Sequence, residues 1–387
     1  MSEDVYILIN TMLLMHTLST VLLLGFWYRN QSSVGLSMIG LSVVFSGLGL
    51  LLAFVFGIAE GFFHVTSIFV FLILGHAMVW LGLADFWHRK TRRLTAAVGA
   101  LGVVTLISIM LYYLNGGTPA GRTAILSLFM AVSSFAIVWT IYRAKGFRID
   151  IYESAFKESR VGSYFVMGLF FIHGFFNVCR VFSWPELGFD TLFAEAGAYV
   201  DTFTVLEALM FTPIFVIGVI MMVAERLQTE LRVEQMLEPV TRSLNRRAFV
   251  TVSKVVLARA RRNADAVSIL IVDVSNFKEI RDIAGRSGCD KILRQVATAI
   301  VAGRREQDIF SRFSNDEFLL ILPGTPEEGA DLVLGRVEAE IVGRSYDQKG
   351  KTITVKAKLQ HYTARGEDLE AEGMIDAVAK KLAAASG

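Results

Sequence analysis

Cysteine is nearly absent. Cys179 and Cys289 are the only two in 387 residues and they sit in different halves, so neither a disulfide framework nor a cysteine-based zinc cluster is available. A strong net charge is also missing. Thirty-eight Lys and Arg against 36 Asp and Glu leave +2, and no basic field points to nucleic acid. The most informative shortage is local. Through Glu225 there are 12 basic and 13 acidic residues, about 11% of that stretch, whereas the rest holds 26 and 23, about 30%. A soluble domain averages roughly 25% charged residues. One uniform soluble protein is therefore excluded, and an oily first part precedes an ordinary soluble second part.

What fills the first part is apolar runs. A spanning helix needs about 20 mostly apolar residues. Seven runs qualify, at about 6–27, 36–56, 66–84, 94–114, 123–141, 161–182 and 202–224. The first is not a removable signal peptide, because Glu3 and Asp4 precede it in place of a basic start and no A-x-A site follows. Lys and Arg favour the cytoplasmic side of a membrane. One alternating set of loops holds Arg29, then Arg89, Lys90, Arg92 and Arg93, then Arg143, Lys145, Arg148, Lys157 and Arg160. The other set holds only Arg122, with Arg180 near a helix end. This asymmetry predicts an outer N-terminus and an inner C-terminus, which an odd number of spans satisfies.

Ionisable residues inside spans are costly and point to function. Arg180 and Glu207 lie near the outer ends of the sixth and seventh spans, at depths that suit an ion pair. His16, His76 and His173 each fall about ten residues into a span, near mid-bilayer. Neutral imidazole ligates haem, copper or zinc; it equally serves as a helix-to-helix hydrogen-bonding group. A retinal Schiff base is excluded, since Lys90, Lys145 and Lys157 are the only lysines before residue 226 and all lie in loops. The outer loop Ser183–Asp201 carries Trp184, Pro185, Phe189, Phe193 and Tyr199, and reads as an interfacial loop or lid.

After the last span, Leu227, Leu231, Val233 and Leu237 recur at helical spacing among charges. The seventh helix is expected to continue over 225–237 as a linker that pairs two subunits, and Glu238-Pro239 ends it. Beyond lie alternating patterns. Helices are expected at Arg246–Asn263, Cys289–Val301, Glu327–Val342 and Glu367–Ala384, and strands at Ala266–Val274, Asp308–Phe313, Glu317–Leu322 and Lys351–Leu359. The sum is an α/β domain with a mixed sheet covered by helices. Asp273 closes the first strand, and Asp316 and Glu317 sit at the hairpin turn. Carboxylates at neighbouring strand ends hold Mg²⁺ against a nucleotide phosphate or are simply solvated.

Residues 238–387 resemble the GGDEF domain, a bacterial family that makes cyclic di-GMP from two GTP. The opening motif stands as Glu238-Pro-Val-Thr-Arg-Ser-Leu-Asn245-Arg246-Arg247-Ala-Phe249. Asp273-Val-Ser-Asn-Phe277-Lys278 and Arg281-Asp-Ile-Ala-Gly285-Arg286-Ser-Gly-Cys289-Asp290 follow, and the signature is Arg312-Phe-Ser314-Asn315-Asp316-Glu317-Phe318. The resemblance implies nucleotide contacts at Phe277, Lys278 and Asp290, and a Mg²⁺ site at Asp273, Asp316 and Glu317. It also implies an inhibitory cyclic di-GMP site at Arg305 and Asp308, the chain's Arg-x-x-Asp pair. The departures are Ser314 and Asn315 at the signature glycines, Arg281 at the guanine-reading Asn, and Lys356-Ala357-Lys358 for Ser-x-Gly. The final helix also has no clear match near Asp376–Lys381.

The expectation is thus a domain order of 1–224 membrane sensor or scaffold, 225–237 linker and 238–387 degenerate GGDEF domain. The chain would be a multi-pass bacterial inner-membrane signalling protein with a periplasmic N-terminus and a cytoplasmic C-terminal domain. It would bind cyclic di-GMP, GTP or another signalling or envelope protein, with Mg²⁺ where nucleotide binds. The alternatives are an active diguanylate cyclase and a scaffold that binds no nucleotide.

Overall fold

The computed structural model describes residues 3–56, 62–144, 160–184, 190–348 and 351–385. Seven helices come first: α1 (Glu3–Arg29), α2 (Leu36–Phe56), α3 (Phe62–Phe86), α4 (Arg92–Leu114), α5 (Pro119–Arg143), α6 (Val161–Phe182) and α7 (Asp190–Met236). Polar caps start two of them. Thr91 accepts a hydrogen bond from the Leu94 amide, and Thr118 accepts from the Gly121 amide with Pro119 in the first turn. Among the described residues six helices are long and apolar enough to cross a membrane, and α2 adds a shorter apolar stretch, Leu36–Leu52. The sequence expected seven spans.

Two units divide the chain, one of residues 1–146 and 159–227, the other of 147–158 and 228–387. In the first, Leu23, Leu83, Ile137, Val166, Phe170 and Phe215 form a buried core. Large apolar side chains also cover the outside, among them Val104, Trp139, Phe171 and Phe175. Apolar groups on both faces suit helices bathed in hydrocarbon. Serine and threonine hydroxyls within these helices bond back one turn, as Ser133 does to Phe129 O and Thr140 to Ala136 O.

One difference from the sequence reading concerns α7. It begins at Asp190, so Phe193 and Tyr199 lie in a helix and not in a loop. It runs on to Met236, through Pro213, and the sequence reading likewise had it continue over 225–237. Lys145, Arg148, Lys157, Pro185 and Phe189 lie outside the described residues.

The second unit contains α8 (Arg246–Asn263), β1 (Val267–Asp273), α9 (Phe277–Ala302), β2 (Ile309–Arg312), β3 (Glu317–Pro323), α10 (Glu327–Ile341), β4 (Ser345–Gln348), β5 (Lys351–Thr354), β6 (Lys358–Ala364) and α11 (Ala371–Ala384). Four strands form one sheet in the order β2-β3-β1-β6. The sheet expected to be mixed has antiparallel ladders throughout its named strands; the parallel element is a single bridge, Leu244 to Ser311. β1 is buried on both faces because α9 and α10 pack on one side and α8 and α11 on the other, which explains its unbroken apolar run.

Two further boundaries moved. The strand expected over Lys351–Leu359 is split into β5 and β6, and β5 pairs with β4 in a separate two-stranded ribbon. Asn276 causes the break, donating to Thr354 O at 2.8 Å and accepting from Lys356 N at 2.9 Å. The helix expected from Cys289 starts at Phe277, and Gly285 (φ 67°, ψ 178°) marks a kink inside it.

Candidate functional site

The acidic residues gather at one end of the sheet. Asp273, the last residue of β1, lies opposite Glu317 of β3 on one side and Lys358 of β6 on the other. The Val274 amide donates to Asp316 O at 2.9 Å, which brings the signature turn beside the end of β1. Burial pushes the Asp273 carboxyl above the usual range, and the neighbouring Asp316 and Glu317 charges add to the rise while Lys358 opposes it. Such like-charge crowding suits a cation electrostatically. Geometrically, no group of three or more His, Cys, Asp or Glu among the described residues converges to hold a metal ion. The acids as placed fit a Mg²⁺ ion only with a ligand supplying further oxygens.

A raised carboxyl favours the folded state below its pKa and ceases to do so as pH rises through it. Asp273→Asn is therefore expected to raise the melting temperature at neutral pH. The gain should vanish under acidic conditions. Thermal melts of both proteins without divalent cation check this.

The signature turn, 313–316, joins β2 to β3. Ser314 and Asn315 stand at the signature glycines, and neither takes a positive φ: His88, Arg242 and Ala264 are the non-glycine residues with positive φ among the described residues. The difference lies in the side chains. Ser314 Oγ accepts from the Glu317 amide at 3.1 Å and lies 2.9 Å from Asp316 Oδ1, to which it donates. A hydroxyl thus occupies the turn and engages an acidic residue of the site. Asn315 O accepts from Arg312 Nη2 at 2.6 Å and Nε at 3.2 Å.

Arg312 also donates Nη1 to Glu238 Oε1 at 2.9 Å. The other oxygen, Glu238 Oε2, accepts from the Val240 and Thr241 amides and the Thr241 hydroxyl. Burial opposes ionisation of Glu238, yet the Thr241 hydrogen bonds and the Arg312 charge bring its carboxyl below the usual range. Asn245 links the end of α7 to the start of α8. It donates Nδ2 to Gln235 O and caps Ala248 N. These positioning roles of Glu238 and Asn276 were missed from sequence. The available signal was a polar residue directly before a helix, at Asn276, and Glu238 three residues before a Thr.

Phe277 and Lys278 stand in the first turn of α9, with Phe277 half-buried against the core and Lys278 exposed. The Arg281 guanidinium lies 5.8 Å from the Phe277 ring centre, so it occupies the start of the helix where the resemblance places an Asn. Asp290 is half-buried one turn beyond the Gly285 kink, beside buried Cys289.

Arg305 is exposed, whereas Asp308 is 1% exposed and points inward. Asp308 Oδ2 accepts from the Arg305 amide at 2.6 Å, and Oδ1 has no partner. Burial pushes its carboxyl up, and the Arg305 amide and the Arg305 and Arg304 charges oppose the rise. Asp308 therefore closes the turn that presents Arg305. Asp308→Ala is expected to cost about 1–3 kcal/mol by orphaning that amide, while Asp308→Asn, which keeps the acceptor, costs less. Denaturant unfolding of the three proteins measures the difference.

In the helical unit, His16, His76, His173, Arg180 and Glu207 all line one cavity of about 240 Å³. Glu207 takes His173 Nδ1 as its hydrogen-bond partner. Arg180, expected to pair with Glu207, lines the same cavity. Asn177, unnoticed in the sequence, lies 3.3 Å from His173 Nε2. His76 Nε2 lies 3.4 Å from Ser134 Oγ, and His16 Nε2 is 2.8 Å from Val43 O. The three Nε2 atoms have separate partners and do not aim at one point, so the donor set does not fit a shared metal or a haem iron.

With this geometry in place, the comparisons agree on the second unit. Residues 235–385 match the model of the family described as "Diguanylate cyclase, GGDEF domain". Those residues form a GGDEF domain. Diguanylate cyclase DosC of Escherichia coli (strain K12) is 35% identical over 124 residues, 31% of this chain and 27% of that protein. Diguanylate cyclase DgcS of Shewanella oneidensis is 29% identical over 160 residues, 41% of this chain and 52% of that protein. The chain thus spans about a quarter to a half of the length of these curated relatives. Among solved structures, the GGDEF domain of DgcB from Caulobacter crescentus in complex with c-di-GMP covers 39% of this chain and 90% of that one, with 18% identity and a TM-score of 0.37. Diguanylate cyclase SiaD of Pseudomonas aeruginosa, in complex with its activator SiaC, covers 52% of this chain and 76% of that one, with 21% identity and a TM-score of 0.41.

Proposed function

We propose that the chain is a membrane-bound signalling protein whose GGDEF domain binds cyclic di-GMP or a protein partner and makes little or no cyclic di-GMP. The helical unit sits in a bacterial inner membrane with its N-terminus periplasmic and the GGDEF domain cytoplasmic, as the loop charges favour. Two copies associate through the 225–237 part of α7.

The observation that carries this reading is the signature turn. Where the family uses two glycines this chain has Ser314 and Asn315, and Ser314 Oγ already engages Asp316. Glycine there leaves room for close backbone approach to a nucleotide. Arg281 removes a second requirement, because a site built to hydrogen-bond its base loses much when one partner changes. In this reading Arg305 reads phosphate or guanine with its guanidinium fork, and Asp308 positions it. Mg²⁺ enters with the nucleotide, held by Asp273 and Glu317.

The rival is an active diguanylate cyclase. The names of the curated relatives and the unstrained backbone at Ser314 and Asn315 favour it. The full chain in lipid nanodiscs, incubated with Mg²⁺ and GTP, separates the two. No cyclic di-GMP by mass analysis is the expected result, and robust synthesis would establish the rival. Calorimetry with cyclic di-GMP should then show binding that weakens at least about tenfold, or 1.4 kcal/mol, in Arg305→Ala. Undiminished binding would remove Arg305 from the site, and no heat with the wild type would leave a protein-recruiting scaffold.

A further inference from the structure

The cavity between the helices of the first unit has no part in the nucleotide reading. It is walled by residues of α1, α2, α3, α5, α6 and α7, and its volume of about 240 Å³ falls just below the ~300–1,000 Å³ of sites for drug-sized molecules. That size suits a single substituted ring.

One wall is a row of flat rings. His76 and His173 lie 5.6 Å apart between centres at 33°, and His173 and Phe211 lie 4.3 Å apart at 36°. Phe211 and Phe215 continue the row at 6.0 Å and 10°. Faces in near-parallel succession favour a planar guest by offset stacking. Apolar side chains line it as well, Leu72, Val79, Leu126 and Met130 among them.

Several buried polar groups reach the same cavity. His76, Ser127 and Asn177 are each at least nine-tenths buried and line the cavity, and Arg180 lines it as well. Imidazole, hydroxyl, amide and guanidinium all offer N–H or O–H donors. The one carboxylate, Glu207, is engaged by His173. A flat, largely apolar guest that carries acceptor oxygens is complemented by these rings and donors.

We propose that this cavity binds the head group of a lipid-soluble quinone, with its carbonyl oxygens accepting from the buried donors and its ring against Phe211 and His173. Such a molecule reaches the site from the hydrocarbon phase, where its tail remains. Glu207, Phe211 and Phe215 recur every four residues on one face of α7, so the guest lies along that helix. The proposal stands whether or not the GGDEF domain handles nucleotide.

The test uses the full chain, delipidated in mild detergent and titrated with a short-tailed ubiquinone analogue. Tryptophan fluorescence quenching and the shift in melting temperature are both read. Saturable quenching with thermal stabilisation is expected for the wild type. Binding should weaken at least about tenfold in Phe211→Leu and in Asn177→Leu. Phe175→Leu, at an outward position 58% exposed, should bind as the wild type does. Melting curves without ligand identify any variant that fails to fold, and Phe211→Leu is conservative enough to stand if Asn177→Leu does not. Absent saturation, equal binding by all variants, or equally strong competition from a saturated fatty acid with the same tail would each overturn the quinone site.

Discussion

Replacing Arg312 by alanine is expected to destabilise the GGDEF domain by about 3–5 kcal/mol, the cost of breaking a buried pair and leaving one charge behind. The side chains of Arg312 and Glu238 are only 9% and 16% exposed, and the guanidinium also bonds Asn315 O twice. The variant therefore loosens the signature turn and the 238–243 turn together. Lysine should not rescue it, because an ammonium lacks the planar fork that serves Glu238 and Asn315 at once. Hydrogen exchange of the β1 and β3 amides in the full chain provides the measurement. The pH dependence has a definite sign. The Glu238 carboxyl is held below its usual range, so its contribution is present above that range and is lost as pH falls through the folded-state value. The gap between wild type and Arg312→Ala should narrow in acid.

The largest expected effect in the helical unit comes from Gly35→Ala. Gly35 has φ +81°, and a Cβ there would stand 2.2 Å from Gly82 O and 2.7 Å from Phe86 N. Both obstacles are backbone of α3, so no side chain can swing aside. Left-handed backbone costs an alanine roughly 1–2 kcal/mol, and overpacking adds about 1–3 kcal/mol. The surrounding contacts repeat the theme. A Cβ on Gly75 would meet Ser46 Oγ at 2.3 Å, and one on Gly82 would meet Ile39 Cγ1 at 2.7 Å. Small residues let α2 and α3 approach closely where no hydrophobic force drives them together. Gly99→Ala and Gly168→Ala, with nothing within 4 Å, should be nearly silent. Size-exclusion melting profiles in detergent distinguish these outcomes.

Glycine also shows how far sequence carried the reading of the signature turn. Ser314 and Asn315 were legible as departures by residue type, and the structure adds that neither takes a positive φ. Whether a position needs φ > 0 depends on the turn that the whole hairpin adopts, and no local pattern states it. The exchange of a backbone argument for a side-chain one came only from the Ser314 hydroxyl beside Asp316.

The same division holds across the chain. Long apolar runs, helical spacing and turn residues are properties of consecutive residues, so sequence alone determined the helices of the first unit and the α8, β1, β2, β3 and α10 segments. It also identified the acids at strand ends, because strand ends are local. Contacts between distant residues were decided by the tertiary structure. Asn276 divides a strand eighty residues away by satisfying Thr354 and Lys356, and antiparallel pairing replaced the expected mixed sheet once β6 returned beside β1. Glu207 meets His173, for an ion pair is chosen by the rotation of two helices about their axes as well as by depth. Periodicity fixes which residues share a face of one helix, but only packing decides which face it meets.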